Sequence, residues 1–309
     1  MEKKPDYKTY SHSEMQHTDQ ATSNVEYPDW LNRREYPFES HVFEQPMGRM
    51  HYVDEGEGEP IVMVHGNPGW SFEFRDVIKA MSATHRCIAP DHIGFGLSDK
   101  PFEWDYMPTS QAENFERFME SLDLDGITLI VNDWGGPIGL SYAINHPEKI
   151  KRLIILNTWL WSVADDWYYQ GFSGFMGGAI GRFLIKHFNF FGKQVVKQAV
   201  GDSRKLDREI HAHYYLHLAT KEDRKGNYIF PREIVGSSKW LDSLWQQREK
   251  INQIPTHFIW GMKDIAFREK ELNYWLKHWP NAEVTRLPEV GHYPQEEATE
   301  VVIGVLEGK

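Results

Sequence analysis

Ile127-Thr128-Leu129-Ile130-Val131-Asn132-Asp133-Trp134-Gly135-Gly136-Pro137 is the stretch on which the fold turns. Ile127 to Val131 is a continuous apolar or β-branched run, the pattern of a strand buried on both faces of a largely parallel sheet. Gly135 and Gly136 allow a tight turn, and Pro137 to Ala143 can be drawn as a helix with one apolar face. A strand, a tight turn and a helix in this order make a nucleophile elbow, usually G-x-Nu-x-G, which holds a strained residue with its side chain above the sheet. Asp133 is the central residue; Val131 replaces the first Gly and Gly135 keeps the second, a partial match. Taken alone, Asp133 is also readable as a helix N-cap.

Outward from the elbow, Pro60 to His65, Leu153 to Leu156 and His257 to Trp260 repeat the continuous apolar form. Phe38 to Glu44 and Arg49 to Asp54 alternate apolar and polar residues, as half-exposed strands do. Trp70 to Met81 and Ser110 to Leu122 have helical periodicity between these runs, and the alternation predicts an α/β architecture. From Thr158 to about Phe230 the rhythm breaks into a span rich in Trp, Tyr, Phe and Gly, which reads as an inserted helical lid. The pattern resumes at Pro231 and ends in a helix over Gln295 to Leu306. The expected division is a flexible tail over 1–24, core over 25–157, helical cap over 158–230 and core over 231–309. The Gly-rich segment Gly171 to Gly181 is readable as a mobile lid or as a self-association surface.

The 309 residues suffice for a substantial core, and 40% hydrophobic with 26% charged residues excludes disordered and fibrous classes. A net charge of −11 repels polyanions, so no nucleic-acid partner is expected. The polar stretch Met1 to Asn24 has no apolar core of the secretory kind, and Phe175 to Ile185, interrupted by Arg182, is too short to span a bilayer. No membrane partner is expected. A single Cys87 fits a reducing, cytoplasmic setting and equally a disulfide-free exported protein; the cytoplasm is the reading taken. A homo-oligomer is compatible with all of this.

Two further groups weigh on Asp133. Glu289-Val290-Gly291-His292 follows a late strand candidate, and Gly261-Met262-Lys263-Asp264 follows the His257 to Trp260 strand. Both sites fall at the carboxyl edge of a parallel sheet, with Asp133. His65-Gly66-Asn67-Pro68-Gly69 forms a turn after its own strand, where backbone N–H groups of Asn67 and of Trp134 can face a developing oxyanion. Asp91-His92-Ile93-Gly94-Phe95-Gly96-Leu97-Ser98-Asp99 is G-x-G-x-x-D without a third Gly, so a dinucleotide loop is rejected. His213 and His217 stand four apart, but the intervening residues lack the Glu of H-E-x-x-H. Neither metal nor cofactor is expected.

The order Asp133, Asp264, His292 matches nucleophile, acid and base in α/β-hydrolases. The segments HGNP, DHIGFGLSDKP, VNDWGGPIGL, GMKD and EVGHYPQEE resemble those of haloalkane dehalogenases within that superfamily, and together they cover most of residues 38 to 309. The resemblance implies an α/β-hydrolase fold, a mostly parallel eight-stranded sheet flanked by helices, with an inserted helical cap. Where a sister branch carries Glu after the sixth core strand this chain has Asn157 and Thr158, which points to Asp264 as the acid.

The chemistry so implied begins with the Asp133 carboxylate attacking a saturated carbon while halide departs, and leaves an alkyl ester. Water activated by His292, with Asp264 orienting the imidazole, then hydrolyses the ester to an alcohol. The Trp134 indole N–H and the Asn67 side-chain amide form the expected halide-binding pair, and the backbone N–H groups of the same residues the oxyanion hole. The partners expected are a small apolar halogenated substrate, water and the product halide. An epoxide hydrolase would use the same three residues with lid hydroxyls, for which Tyr168, Tyr169, Tyr214 and Tyr215 are available, although epoxide hydrolases usually carry Phe where this chain has Asn67. A non-enzymatic ligand receptor is the remaining reading, since fold alone does not determine function. Trp159, Trp161 and Trp167 are candidates to line an apolar cavity.

Overall fold

A computed structural model describes residues 27–204 and 206–309 of the chain, and the tail expected over 1–24 lies outside the described residues. Eight strands, β1 (His41–Gln45), β2 (Gly48–Glu55), β3 (Glu59–Val64), β4 (His85–Pro90), β5 (Ile127–Asn132), β6 (Ile150–Leu156), β7 (Thr256–Gly261) and β8 (Glu283–Leu287), form one sheet. Their order is β1-β2-β4-β3-β5-β6-β7-β8. β2 runs antiparallel to β1 and β4, and every other neighbouring pair is parallel.

The continuous apolar runs are explained by the period-two alternation of strand side chains. Val62, Val64, Leu129, Val131, Leu153 and Ile155 pack into the core on one face. Ile61, Met63, Ile130, Ile154, Leu156 and Ile259 pack into the core on the other. Both faces are covered by helices: α1 (Arg75–Met81), α2 (Pro108–Leu122) and α3 (Gly135–Asn145) arise between strands β3 and β6. Between β6 and β7 the described chain is helical, with α4 (Trp167–Gly177), α5 (Ala179–Phe188), α6 (Val196–Ala199), α7 (Arg208–Leu216), α8 (Lys225–Gly236) and α9 (Ser238–Gln246). α10 (Glu269–His278), α11 (Pro294–Glu297) and α12 (Thr299–Leu306) complete the core.

Three local readings change. α8 runs through Pro231, so no break separates residues 230 and 231, where the cap was expected to end. The first strand begins at His41 rather than Phe38, and the helix expected over Trp70 to Met81 opens with a 3-10 turn over Ser71–Phe74. β4, which patterning did not locate, reads His85-Arg86-Cys87-Ile88-Ala89-Pro90, yet Cys87 to Pro90 are buried between β2 and β3. Its polar start and terminal Pro hide a central strand; Pro90 is tolerated because it is the strand's last residue.

Candidate active site

Because β3, β5, β6, β7 and β8 are parallel, the loops that follow them open on one edge of the sheet. The turn after β3 supplies Asn67, the turn after β5 Asp133 and Trp134, the loop after β7 Asp264, and the loop after β8 His292. All five residues named from the sequence meet at this edge.

Asp133 has a backbone φ of 50°, in the left-handed region that L residues seldom adopt, so the turn into α3 is strained as an elbow requires. Its backbone is fixed on both sides: its N–H donates to the Asn157 carbonyl at 3.1 Å, and its own carbonyl accepts the Thr158 hydroxyl. The backbone N–H of Asn67 donates to Asp133 Oδ1 at 2.8 Å, and the backbone N–H of Trp134 also bonds to the carboxylate. Burial pushes the Asp133 carboxyl up, while His292 and these two N–H groups act against that rise. Two glycines make the approach possible. A Cβ at Gly66 would fall on the Asp133 side chain, and one at Gly135 on the Val64 carbonyl.

His292 Nδ1 lies 2.8 Å from Asp264 Oδ2, and Nε2 lies 3.6 Å from Asp133 Oδ2. The ring is buried and stacks on Phe267 with centroids 5.7 Å apart. Burial alone would lower the imidazole pKa, but the charges of Asp264, Asp133 and Glu73 outweigh it and push it up to about 9. The ring is thus held between two carboxylates that favour its protonated form. Its backbone is clamped as well, with the N–H donating to the Ala199 carbonyl at 2.8 Å and the carbonyl accepting Asn132 Nδ2 at 3.1 Å.

A cavity opens above Asp133. Asn67, Asp133, Trp134 and His292 stand at it together with Trp159, Phe172, Phe191, Pro231, Ile234 and Phe267, so a polar cluster faces an apolar chamber. The buried Oδ1 of Asn67 has no hydrogen-bond partner among the described residues. Tyr168 and Tyr169 also line the chamber, but their hydroxyls donate to the carbonyls of Ile265 and Ala266. The Tyr214 hydroxyl donates to Glu296 Oε2 at 2.9 Å, and Tyr215 does not line the cavity. Of the three lid tryptophans only Trp159 reaches it: Trp161 packs on Trp245 and Trp275, and Trp167 is exposed. His213 and His217 are engaged within the fold; His213 Nε2 accepts the Asn32 backbone N–H, and the Nδ1 atoms face the carbonyls of Glu209 and His213. Asp91, in the rejected glycine loop, binds His51 Nδ1 and the backbone N–H groups of Ser71 and Leu97.

Sequence reasoning missed the groups that hold this arrangement from behind. Asn157 Nδ2 donates to Asp264 Oδ2 at 2.9 Å while its Oδ1 accepts the Gly261 N–H at 2.8 Å. Gln295 Nε2 donates to Glu73 Oε1 at 3.0 Å and to Asn132 Oδ1 at 3.1 Å, beneath the His292 carbonyl. Burial pushes the Glu73 carboxyl well up. Glu297 accepts the backbone N–H groups of Gly201 and Gly291, joining the segment after α6 to the loop of His292. A Glu six residues after Asn67 and a Gln three after His292 were the available signals, but nothing local told them from surface polars.

Residues 59–299 match the alpha/beta hydrolase fold family. Haloalkane dehalogenase 2 of Mycobacterium tuberculosis is 35% identical over 273 residues, covering 88% of this chain and 94% of the relative. A cis-3-alkyl-4-alkyloxetan-2-one decarboxylase of Shewanella oneidensis is also 35% identical, over 283 residues and 86% of each chain. Among solved structures, an ancestral haloalkane dehalogenase superposes with a TM-score of 0.78 at 24% identity, covering 87% of this chain and 97% of the other. The haloalkane dehalogenase of Bradyrhizobium elkani superposes equally well, at 23% identity over 87% and 96%. The chain thus belongs to the haloalkane dehalogenase family of the α/β-hydrolase superfamily.

Proposed function

We propose that the protein hydrolyses haloalkanes to an alcohol, halide and a proton through an ester on Asp133. The observation that carries this reading is the Asp133 carboxylate at the floor of an apolar chamber, with Oδ1 held by the Asn67 N–H and Oδ2 facing His292. Oδ2 attacks the carbon bearing the halogen, the carbon–halogen bond breaks in line, and the halide takes the bonding pair. The Trp134 indole N–H and the Asn67 side-chain amide, both at the chamber, receive the halide. Donors of this kind suit a large, weakly basic anion in a dry site.

Ester formation removes the negative charge of Asp133, one of the charges that raise the His292 pKa. The imidazole then releases its proton more readily and can take one from water. The resulting hydroxide attacks the ester carbonyl, whose oxyanion faces the backbone N–H groups of Asn67 and Trp134; on collapse the bond from the acyl carbon to the alkyl oxygen breaks, the alkoxide takes the proton from the His292 imidazolium to leave as the alcohol, and Asp133, regained as the acid, gives up the proton released. Asp264 stabilises the imidazolium of this step through its 2.8 Å contact with Nδ1. No metal or cofactor enters the proposed sequence.

The test is incubation of purified protein with 1-bromobutane and 1,2-dibromoethane, following halide and acid release beside an Asp133→Asn control. Release that disappears in the control supports the reading. No release from folded protein by either substrate overturns it.

A second reading is favoured by the Shewanella oneidensis relative, whose name specifies a 3,4-dialkyl oxetan-2-one. There the ring C4–O bond takes the place of the carbon–halogen bond. Attack of Asp133 at C4 opens the ring to a carboxylate on C3; loss of CO2 then forms the C3=C4 bond as the Asp133 carboxylate departs. This route consumes no water and needs no base. Alkene from the lactone, retained in His292→Ala and lost in Asp133→Asn, would select it over dehalogenation. The epoxide reading is disfavoured, because the Tyr168 and Tyr169 hydroxyls donate to loop carbonyls and each phenol has one proton to give. For a receptor, stoichiometric capture without turnover would be the result.

A further inference from the structure

Of the eight large hydrophobic side chains that are exposed among the described residues, five lie between Trp167 and Phe188 on α4 and α5. Trp167 is 80% exposed, Phe175 51%, Ile180 66%, Phe183 54% and Phe188 59%. In α5, Ile180, Phe183, Leu184 and His187 follow the i, i+3, i+4, i+7 spacing of one helix face, while Gly181 and Ile185 turn inward and are buried. The outward side of this helix thus carries large apolar side chains with Arg182 and His187 exposed beside them, unlike the polar face of an ordinary surface helix. No helix among the described residues is long and apolar enough to cross a membrane.

The charge of the same region is equally unlike the rest of the chain. Trp167 to Gly201 contains no Asp or Glu, and carries Arg182, Lys186, Lys193 and Lys197, against a net charge of −11 for the whole protein. Arg182, Lys193 and Lys197 are exposed and Lys186 is half-buried. Apolar and aromatic side chains beside Lys and Arg are the composition of a helix that lies in the headgroup boundary of an anionic bilayer. The acidic remainder of the molecule does not prevent such docking. Charges farther from the surface than the Debye length, about 8 Å at physiological salt, are largely screened. A symmetric pair of chains meeting through this face would bring two copies of Arg182 and Lys186 together, so a second copy is the poorer occupant.

We propose that the cap docks through α5 and the exposed side chains of α4 on an anionic lipid surface. α4 then has two working sides, since Tyr168, Tyr169 and Phe172 line the chamber above Asp133 while Trp167 and Phe175 are exposed. Docking would hold the chamber beside the acyl chains in which an apolar substrate concentrates. The expectation of no membrane partner rested on the lack of a spanning segment, which does not bear on a helix lying in the interface. Docking stands or falls independently of the reaction proposed above.

The experiment is sedimentation of the full-length protein with vesicles of phosphatidylcholine alone and of phosphatidylcholine mixed with phosphatidylglycerol, at low and high salt. Expected is binding to the mixed vesicles, weakened by salt. The double variant Arg182→Gln/Lys186→Gln should partition about thirtyfold more weakly, from about 1 kcal/mol per cation near an anionic surface. Ile180→Ser/Phe183→Ser should lose at least about tenfold, from its buried apolar area. The melting curve of each variant should match the parent, since Ile180, Arg182 and Phe183 are exposed and Lys186 is only half-buried. Absence of binding to mixed vesicles, or equal binding by parent and both variants, overturns the proposal. So does a dimer that Phe183→Ser dissociates while vesicles remain unbound, which would assign the face to a second copy.

Discussion

Asn157 donates its side-chain N–H to Asp264 Oδ2, the same oxygen that meets His292 Nδ1, at 2.9 Å and 2.8 Å respectively. The oxygen therefore has two donors in fixed directions, and Asp264 Oδ1 is occupied by the Ala266 N–H at 2.6 Å. The carboxylate cannot rotate without breaking several bonds in a buried setting. Asn157→Ala would free that rotation and leave the Gly261 N–H without its acceptor. The expected outcome is a loss of about 1–3 kcal/mol in urea unfolding, together with slower hydrolysis of the ester relative to its formation in rapid-quench kinetics.

The His292 imidazole predicts a pH dependence whose sign can be worked out. Its folded value, about 9, lies above the ordinary 6.5, so the imidazolium stabilises the fold fully below about pH 6.5, and that contribution is lost as the pH rises through about 9. The Tm should fall from pH 7 to pH 9.5, and fall less in Asp264→Asn, where the largest charge favouring the cation is gone. In Asp133→Asn, which mimics the neutral ester, the His292 resonance in an NMR titration should move to a lower midpoint.

His292→Ala separates the two chemical steps. In the proposed reaction, alkylation of Asp133 needs no base, whereas ester hydrolysis does. After exposure to 1-bromobutane, mass spectrometry of this variant should find a stable butyl increment on the peptide containing Asp133. Normal turnover by the variant would remove His292 from the role of base.

Gly66→Ala and Gly135→Ala should fail differently. At Gly66 the new methyl meets the Asp133 side chain, so the carboxylate moves while the backbone stays. Activity should drop by about a hundredfold, the scale of an ångström of misplacement, with a modest change in Tm. At Gly135 the methyl meets the Val64 carbonyl in β3, which side-chain motion cannot relieve. The main effect there should be a loss of stability of about 1–3 kcal/mol.

The fold was legible where one residue type answers to one physical demand. Val62 to Val64 and Leu129 to Val131 are apolar without interruption because both faces of their strands are covered, and the elbow announced itself through Gly135 and Gly136. β4 was not legible: His85 and Arg86 are partly solvated at the strand's start, and only its position between β2 and β3 buries the rest. The three residues of the constellation, Asp133, Asp264 and His292, could be named because each follows a recognisable strand. Asn157, Gln295, Glu73 and Glu297 could not, because a buried polar side chain is told from a surface one by partners as many as 222 residues away. The lid tyrosines show the converse: Tyr168 and Tyr169 were named as available lid hydroxyls, but the direction of those hydroxyls depends on a loop more than ninety residues further on.

Glu297 grips the Gly201 N–H on the cap side and the Gly291 N–H beside His292, and Ala199 accepts the His292 N–H directly. Any outward excursion of the 199–201 segment must therefore break the bonds that hold the imidazole in register with Asp133. Ala199, which lines the chamber, and His292 are thus fastened as one piece, so that the chamber wall and the imidazole keep a common register.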